Sequence, residues 1–188
     1  MNIHHHPEDA MLSAFAAGTL DHGQHIAIAT HLVSCRHCRG FMHTMEQVGG
    51  AVLTSLPPAP MSSDALQQIE ARLSEPARPA APVPAPTVTE ADVPGLPAFV
   101  RSYQFGRWTW IAPSVHVRPI MLPHESDTRA FLLRAGPGIK MPSHSHTGVE
   151  MTCVLTGAFS HTGAHYGPGD FDFGDEGVDH RPDRKSVV

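Results

Sequence analysis

Residues 31–38 have the sequence HLVSCRHC, in which a histidine stands four positions before a cysteine and a second cysteine follows three positions later. If a helix continues from His31 to Cys35, these two side chains lie on the same face. A Cys-x-x-Cys turn lets the thiolates of Cys35 and Cys38 reach one ion. Two thiolates and an imidazole select tetrahedral Zn²⁺. The stretch therefore predicts a structural zinc site.

A structural zinc ion needs a fourth protein ligand, and the chain offers several histidines. The best candidate is His6, although the run of three histidines that it ends has equally the composition of a tag remnant or a solvated terminus. A redox dithiol is the rival interpretation of the cysteine pair, but the βαβ context of such motifs is missing. The competing histidines are His4, His5, His25 and His37.

The sequence before this stretch predicts two helices. Pro7 suits the first turn of one helix, which Gly18 ends. Asp21 can cap a second helix that runs through His31. The predicted apolar stripe of that helix consists of Ile26, Ala29 and Val33.

Two further helices are predicted after it. One starts near Cys35 and runs until Gly49 and Gly50 weaken it. Asp64 and Gln67 resemble a capping box that opens a short amphipathic helix. Four short helices have too few apolar residues for a full core, so we expect one apolar face to be free for a partner.

A proline-rich stretch then divides the chain. Residues 76–86, PARPAAPVPAP, have the composition of an extended, semi-rigid linker, which favours two separate domains over packing of the two halves on each other. Short segments typical of strands follow, and they indicate an all-β sandwich or barrel. These segments are 108–111, 115–122, 129–134, 150–156 and 170–173. The predicted fold is α + β multidomain, with a helical zinc-binding domain at 1–74, a linker at 75–97 and an all-β domain at 98–188.

The β half contains a second candidate metal site. Gly138, His144, His146, Glu150 and Gly157 match the first sequence motif of the cupins, which are jelly-roll barrels. His144 and His146 alternate along a strand and therefore point to the same side, where Glu150 can join them. A looser second motif includes the turn Pro168-Gly169-Asp170 and then His180. The predicted ligands are His144, His146, Glu150 and His180, a set that fits Zn, Mn, Fe or Ni.

The end of the chain qualifies this prediction. Only eight residues follow His180, whereas a cupin needs further strands to close its barrel. We therefore expect a cupin barrel that is incomplete at its C-terminal edge. Nearby, Cys153 is interpreted as a small core residue rather than a redox sensor, and His161 and His165 as surface groups.

Charge and hydropathy restrict the function. The net charge is -5, and no cluster of Lys and Arg offers a surface for phosphates, so direct binding of nucleic acid is not expected. No apolar run approaches the roughly 20 residues that span a bilayer, and residues 1–7 lack the features of a secretory signal. We expect a cytoplasmic protein with no membrane contact, and any role in gene control should run through a protein partner.

The zinc motif and its surroundings resemble a known family. The spacing of His31, Cys35 and Cys38, the upstream His6, and residues 7–20, PEDAMLSAFAAGTL, are similar to the ChrR type of zinc-binding anti-sigma factor, which also carries a C-terminal cupin. The resemblance implies that His6 is the fourth zinc ligand and that the cupin holds zinc. It further implies that the helical module sequesters a group IV (extracytoplasmic-function, ECF) sigma factor. The release signal would be an oxidant of the singlet-oxygen type, or a ligand, detected by the cupin.

The expected function is thus a non-catalytic anti-sigma factor that lowers transcription until oxidative stress releases its partner. A metal-dependent cupin enzyme, a dioxygenase or isomerase with a helical appendage, is the alternative. A small-molecule binding module without chemistry is a third possibility. The N-terminal zinc motif favours the regulator, since a cupin enzyme has no evident use for it.

Overall fold

The computed structural model describes residues 2–76, 88–89, 91–123, 126–139, 148–161, 163–174 and 183–186. Helices precede antiparallel strands, in the order that the sequence predicts. The helices are α1 (Asp9–Ala16), α2 (His22–Ser34), α3 (Arg36–Ser55), α4 (Ala65–Ser74) and α5 (Ala98–Arg101). The strands are β1 (Gln104–Phe105), β2 (Thr109–Ala112), β3 (Val115–Met121), β4 (Ala130–Ala135), β5 (Glu150–Cys153), β6 (Ala158–His161), β7 (Ala164–Tyr166), β8 (Phe171–Gly174) and β9 (Asp183–Ser186).

Helix α2 begins at a capping box, which confirms Asp21 as its N-cap. The Asp21 carboxylate accepts a hydrogen bond from the N–H of Gly23 at 3.1 Å, and the Gln24 side chain accepts one from the N–H of Asp21 at 3.1 Å. The predicted apolar stripe is wrong at Val33, which is 56% exposed, while Ile28 is fully buried. The buried face is wider than a single stripe because α2 contributes to two different apolar clusters.

The second pair of helices departs from the prediction in two details. Helix α3 continues through Gly49 and Gly50 to Ser55, because a cost of roughly 1 kcal/mol per glycine does not end a helix of 20 residues. The capping box at Asp64 and Gln67 is wrong, since the Asp64 carboxylate instead accepts from the side-chain amide of Gln68 at 2.8 Å. Within the described residues, no helix is long and apolar enough to cross a membrane.

The described strands form three antiparallel sheets. β3 is central in the largest, where it pairs with β1, β2 and β4; β5 pairs with β8; and β6 lies between β7 and β9. β2, β3, β4, β5 and β8 correspond to the five predicted strands. β1 and β7, with two and three residues, are too short for the sequence pattern to detect, and β6 and β9 are not predicted either. The described strands do not close into a barrel. β9 lies beyond His180 and lengthens the sheet at the edge where strands were expected to be missing.

The helical half packs on the β half, so the expectation of separated halves is wrong. Ile26 of α2 joins a buried cluster with Val100, Ile120 and Leu132. On the other side of α2, Phe171 of β8 joins a cluster formed mainly by the helical half. A small helical module cannot bury its own apolar residues, and the strands complete its core. Three residues of the predicted linker, Val88, Val93 and Leu96, are buried in the same region.

A polar anchor fixes the N-terminal end of α2 to the loop before β4. The Asp21 carboxylate accepts hydrogen bonds from the hydroxyls of Thr128 and Ser126, the latter at 2.7 Å, and from the N–H of Asp127 at 3.0 Å. The hydrogen bonds from Thr128 and Ser126 hold the pKa of Asp21 well below its ordinary value. One side chain therefore both caps α2 and ties it to the β half.

Candidate metal centre

The junction between α2 and α3 brings three predicted ligands together. Cys35 ends α2 and caps α3, and its extended backbone, with φ −89° and ψ 105°, turns the chain between the two helices. His31 stands in the last turn of α2, whereas Cys38 stands in the first turn of α3. The N–H of Cys38 points at the Cys35 sulfur at 3.4 Å. The Cys-x-x-Cys segment thus turns both thiols toward one point.

His6 supplies the fourth side chain of this cluster. Its Nδ1 lies 3.3 Å from the Cys35 Sγ and 3.5 Å from the Cys38 Sγ. His31 Nε2 lies 3.2 Å from the Cys38 Sγ, and the four ligand atoms all lie within 4.8 Å of one another. Zn–S and Zn–N bonds of about 2.3 and 2.0 Å at tetrahedral angles separate sulfur and nitrogen by roughly 3.5 Å. The four side chains therefore fit a single tetrahedral zinc ion.

The cluster is enclosed except at His6. His31, Cys35 and Cys38 are at most 2% exposed, whereas His6 is exposed. Burial lowers the pKa of His31 and raises that of the Cys38 thiol, whose neighbour Cys35 adds to the shift. Partial desolvation of its ring, followed by the nearby His37, lowers the pKa of the more exposed His6. The low histidine pKa values favour the neutral imidazole that a metal requires. The Cys38 thiolate needs the charge of a metal to stabilise it.

The β half orients one of the ligands. His31 Nδ1 lies 2.7 Å from the backbone oxygen of Gly169, which precedes β8. An Nδ1–H donor to this oxygen leaves the Nε2 lone pair for a metal, the arrangement common at histidine ligands. Gly169 has a φ of +88°, and a Cβ there would lie 2.7 Å from the Ile3 side chain, so glycine is required at this turn.

The competing histidines lie outside the cluster. The His5 ring packs on Tyr166 at 4.2 Å between ring centroids, and the His25 ring stacks on Phe15 at 4.3 Å. The cluster of ligand atoms includes neither His4 nor His37. Because the rings of His5 and His6 both make specific contacts, these two histidines are part of the fold and not a solvated tag.

The predicted cupin site is described in part. Glu150 is half-buried at the start of β5, opposite Gly174 of β8. His144, His146 and His180 lie outside the described residues. The predicted ligand set of the cupin therefore stays a prediction.

The structure clarifies two residues near the centre. Cys153 packs in the cluster that surrounds the zinc site, and burial, with the nearby charge of Asp170, raises its pKa to about 12. A protonated thiol at neutral pH fits the core role predicted for it.

Asp170 is 2% exposed and contacts the N-terminal segment, whereas the sequence pattern indicates it only as part of a turn. No local pattern signals a contact between positions 166 residues apart.

The fold and the site together define a class of protein. In this class, a helical module that contains a cluster of two histidines and two cysteines packs on a cupin-like β domain. Residues 9–39 match the family described as a putative zinc-finger, and residues 98–187 match the ChrR cupin-like domain. The chain belongs to the ChrR family of anti-sigma factors. The anti-sigma-E factor ChrR of Cereibacter sphaeroides is 35% identical over 189 residues, which cover 97% of this chain and 84% of that protein. A crystal structure of Rhodobacter sphaeroides SigE in complex with the anti-sigma ChrR matches with a TM-score of 0.77 and 32% identity over 100% of this chain and 95% of the other.

These comparisons confirm the family suggested by the zinc motif and the order of an N-terminal helical module and a C-terminal cupin-like domain. They also agree with the prediction of a regulator in preference to an enzyme. The zinc-finger match ends one residue after Cys38, so it includes three of the four clustered side chains.

Proposed function

We propose that this chain is an anti-sigma factor that binds and sequesters an ECF-type sigma factor, and thereby lowers transcription. The observation that carries the proposal is the match, over the whole chain, to the ChrR that was crystallised with SigE. The protein would act in the cytoplasm, where sigma factors meet RNA polymerase.

An exposed apolar surface supports this function. The second half of α3 and all of α4 bury no residue, although both carry large apolar side chains. Helix faces of this kind are completed by a partner in many protein complexes. We call this set the open helical face: Val48, Val52, Leu53, Leu56, Leu66, Ile69 and Leu73, each at least 53% exposed.

Transcription in a purified system tests the proposal. The assay contains core RNA polymerase, the cognate sigma factor and a promoter that this sigma factor recognises. Addition of the protein should suppress transcription in proportion to its amount, and suppression should be complete at about one protein molecule per sigma factor. A second sigma factor of a different group, with its own promoter, is the control and should be unaffected. Unchanged transcription from the cognate promoter would contradict the function.

We further propose that His6, His31, Cys35 and Cys38 bind one structural zinc ion. Four protein ligands leave no open position, so the ion would hold α2, α3 and the N-terminal segment together without taking part in catalysis. The zinc-finger match and the close approach of the four ligand atoms support this assignment. On this basis, residues 1–74 would form the anti-sigma domain, 75–97 the connection and 98–188 the cupin domain.

The cupin would hold a second ion through His144, His146, Glu150 and His180. The sequence motif supports these ligands, and the ion is zinc or another divalent metal, Mn, Fe or Ni. Metal analysis of the wild-type chain should find two ions per chain, and a double substitution His144→Ala with His146→Ala should leave one. Two ions in the variant would rule out these ligands.

The cupin would also detect the release signal, an oxidant of the singlet-oxygen type or a small ligand. Packing of the cupin-like half on α2 and on the zinc cluster supports a route by which a change in the cupin reaches the helical module. Exposure of the purified complex to photosensitised singlet oxygen should release the sigma factor. Release should fail in the His144→Ala, His146→Ala variant; equal release from both proteins would exclude sensing by the cupin metal.

A further inference from the structure

The turn between β7 and β8, together with the first residue of β8 (residues 167–171), contacts the N-terminal segment immediately before His6. One carboxylate oxygen of Asp170 accepts hydrogen bonds from the N–H groups of His4 at 2.7 Å and His5 at 2.9 Å. The other oxygen accepts from the N–H of Gly167 at 2.7 Å. The N–H of Phe171 donates to the backbone oxygen of His5 at 3.1 Å. The turn thus holds the backbone of two consecutive residues.

These hydrogen bonds are well placed to be strong. Asp170 is 2% exposed, and a buried carboxylate with three N–H donors makes charge-assisted bonds that water does not compete for. The Tyr166 ring and the backbone oxygen of His165 hold the side chain of His5 in addition, the latter at 3.1 Å from its Nε2. Residues 2–8 have no helix or strand of their own, so these contacts, together with the packing of Ile3 and the burial of Pro7, fix their path.

The same turn contacts a second zinc ligand. The backbone oxygen of Gly169 lies 2.7 Å from His31 Nδ1, as described above. Residues 167–171 therefore touch His31 directly and reach His6 through the backbone of His4 and His5. His6 needs this support most, because it lies in a segment without helix or strand, whereas the other three side chains of the cluster lie in or between helices, and fixing an irregular backbone costs conformational entropy.

We propose that Asp170 is a positioning residue that holds His6 at the zinc ion through the backbone of His4 and His5. The cupin-like half then determines how tightly the helical module keeps its zinc. This inference rests on the proposed zinc site, and it adds to that site a carboxylate from the opposite half of the chain.

The test is the rate at which the full-length zinc-loaded protein releases zinc to an excess of a chromogenic chelator at neutral pH. Asp170→Asn keeps the shape of the side chain but leaves only one acceptor oxygen for three donors. Loss of an outer partner of a metal ligand typically weakens binding about 10- to 100-fold, so we expect release from Asp170→Asn to be at least about 10-fold faster.

Asp21→Asn is the matched control. Asp21 also joins the two halves through a carboxylate with several donors, but it does so at the other end of α2. Its variant should release zinc within about twofold of the wild-type rate. Equal acceleration in the two variants would show that general loosening of the halves is responsible, and would overturn the inference.

A double substitution separates positioning from a merely structural role. His6→Ala removes the ligand on which Asp170 acts, so Asp170→Asn should cause no further acceleration in the His6→Ala background. If Asp170→Asn accelerates zinc release to the same extent in the wild-type and His6→Ala backgrounds, Asp170 does not act through His6.

Insertion of two glycines between His5 and His6 tests the same coupling without a change in the buried carboxylate, in case Asp170→Asn does not fold. The insertion should accelerate release to a similar extent, and a wild-type rate would overturn the inference.

Failure of the proposed zinc site and failure of the proposed role of Asp170 give different results. If the wild-type chain holds no zinc at His6, His31, Cys35 and Cys38, the site itself is wrong. If the wild type holds zinc and Asp170→Asn releases it at the wild-type rate, the site stands and the role of Asp170 is wrong.

Discussion

In the helical half, Ile26 and Ile28 of α2 are buried against the strands and α1, and Val33 is its exposed exception, whereas the large apolar side chains of α4 and of the second half of α3 face solvent. Ile28 is fully buried, and Leu73 is 80% exposed, although both are aliphatic residues on short helices. Local sequence does not explain the difference. The surroundings do, because the zinc cluster and β8 close one side of the module and nothing in the described structure covers the other.

This contrast separates stability from partner binding. Substitutions in the buried part should unfold the module, whereas substitutions on the open helical face should leave the fold intact and weaken binding of the sigma factor. The predictions below test that separation, beginning with the largest expected effect.

Cys35→Ser should have the largest effect, because it removes a buried thiolate that is one of the four proposed ligands of the structural zinc ion. Structural zinc contributes on the order of 10 kcal/mol to small domains, so the helical module should lose both its zinc and its cooperative unfolding transition. Metal analysis and circular dichroism measure these two properties. Cys153→Ser, which lies outside the ligand cluster, is the control and should retain the zinc. Full zinc occupancy in Cys35→Ser would show that Cys35 is not a zinc ligand, and would contradict stabilisation of the buried part of the helical half by zinc.

Ile28→Ala should destabilise the protein by about 2 to 5 kcal/mol, since it opens a cavity in a packed cluster. Ile69→Ala is the matched substitution on α4, where the side chain is 54% exposed, and should change the free energy of unfolding by no more than about 0.5 kcal/mol. Denaturant unfolding of both variants gives the comparison. Similar losses would mean that α4 is packed in solution.

Leu73→Asp should weaken binding of the cognate sigma factor by about 1 to 4 kcal/mol, the range for central interface residues, while the unfolding midpoint stays at the wild-type value. Isothermal titration calorimetry measures the affinity. Trp110→Ala removes an apolar side chain that is 62% exposed on β2, outside the open helical face, and should bind normally. If the tryptophan variant is the weaker binder, the interface lies on the β half.

Gly49→Ala should have the smallest effect. A Cβ at this position in α3 meets nothing within 4 Å, so alanine should stabilise the helix by roughly 0.5 to 1 kcal/mol. Thermal unfolding of the wild-type and Gly49→Ala proteins measures the change. A destabilised variant would indicate that the exposed part of α3 is not helical in the free protein.

Much of this architecture follows from local sequence. The cap at Asp21, the convergence of His31, Cys35 and Cys38, and the five predicted strands depend on residues close together in the chain, so their patterns could be interpreted directly. The packing of the two halves could not be predicted, because it depends on pairs such as His4 and Asp170, or Ile26 and Ile120, that no short pattern connects. The composition of the linker led to the wrong prediction of two separated halves, since proline content describes the stiffness of a segment and not the contacts of the domains that it joins.

Hydrogen exchange of the full-length protein, measured by mass spectrometry with and without its cognate sigma factor, tests the separation of the two regions most directly. The sigma factor should strongly protect peptides from the second half of α3 and from α4, and should leave α2, which is already packed, almost unchanged. Protection confined to α2 and the strands, with α3 and α4 still exchanging freely, would contradict the assignment of the open helical face as the binding surface.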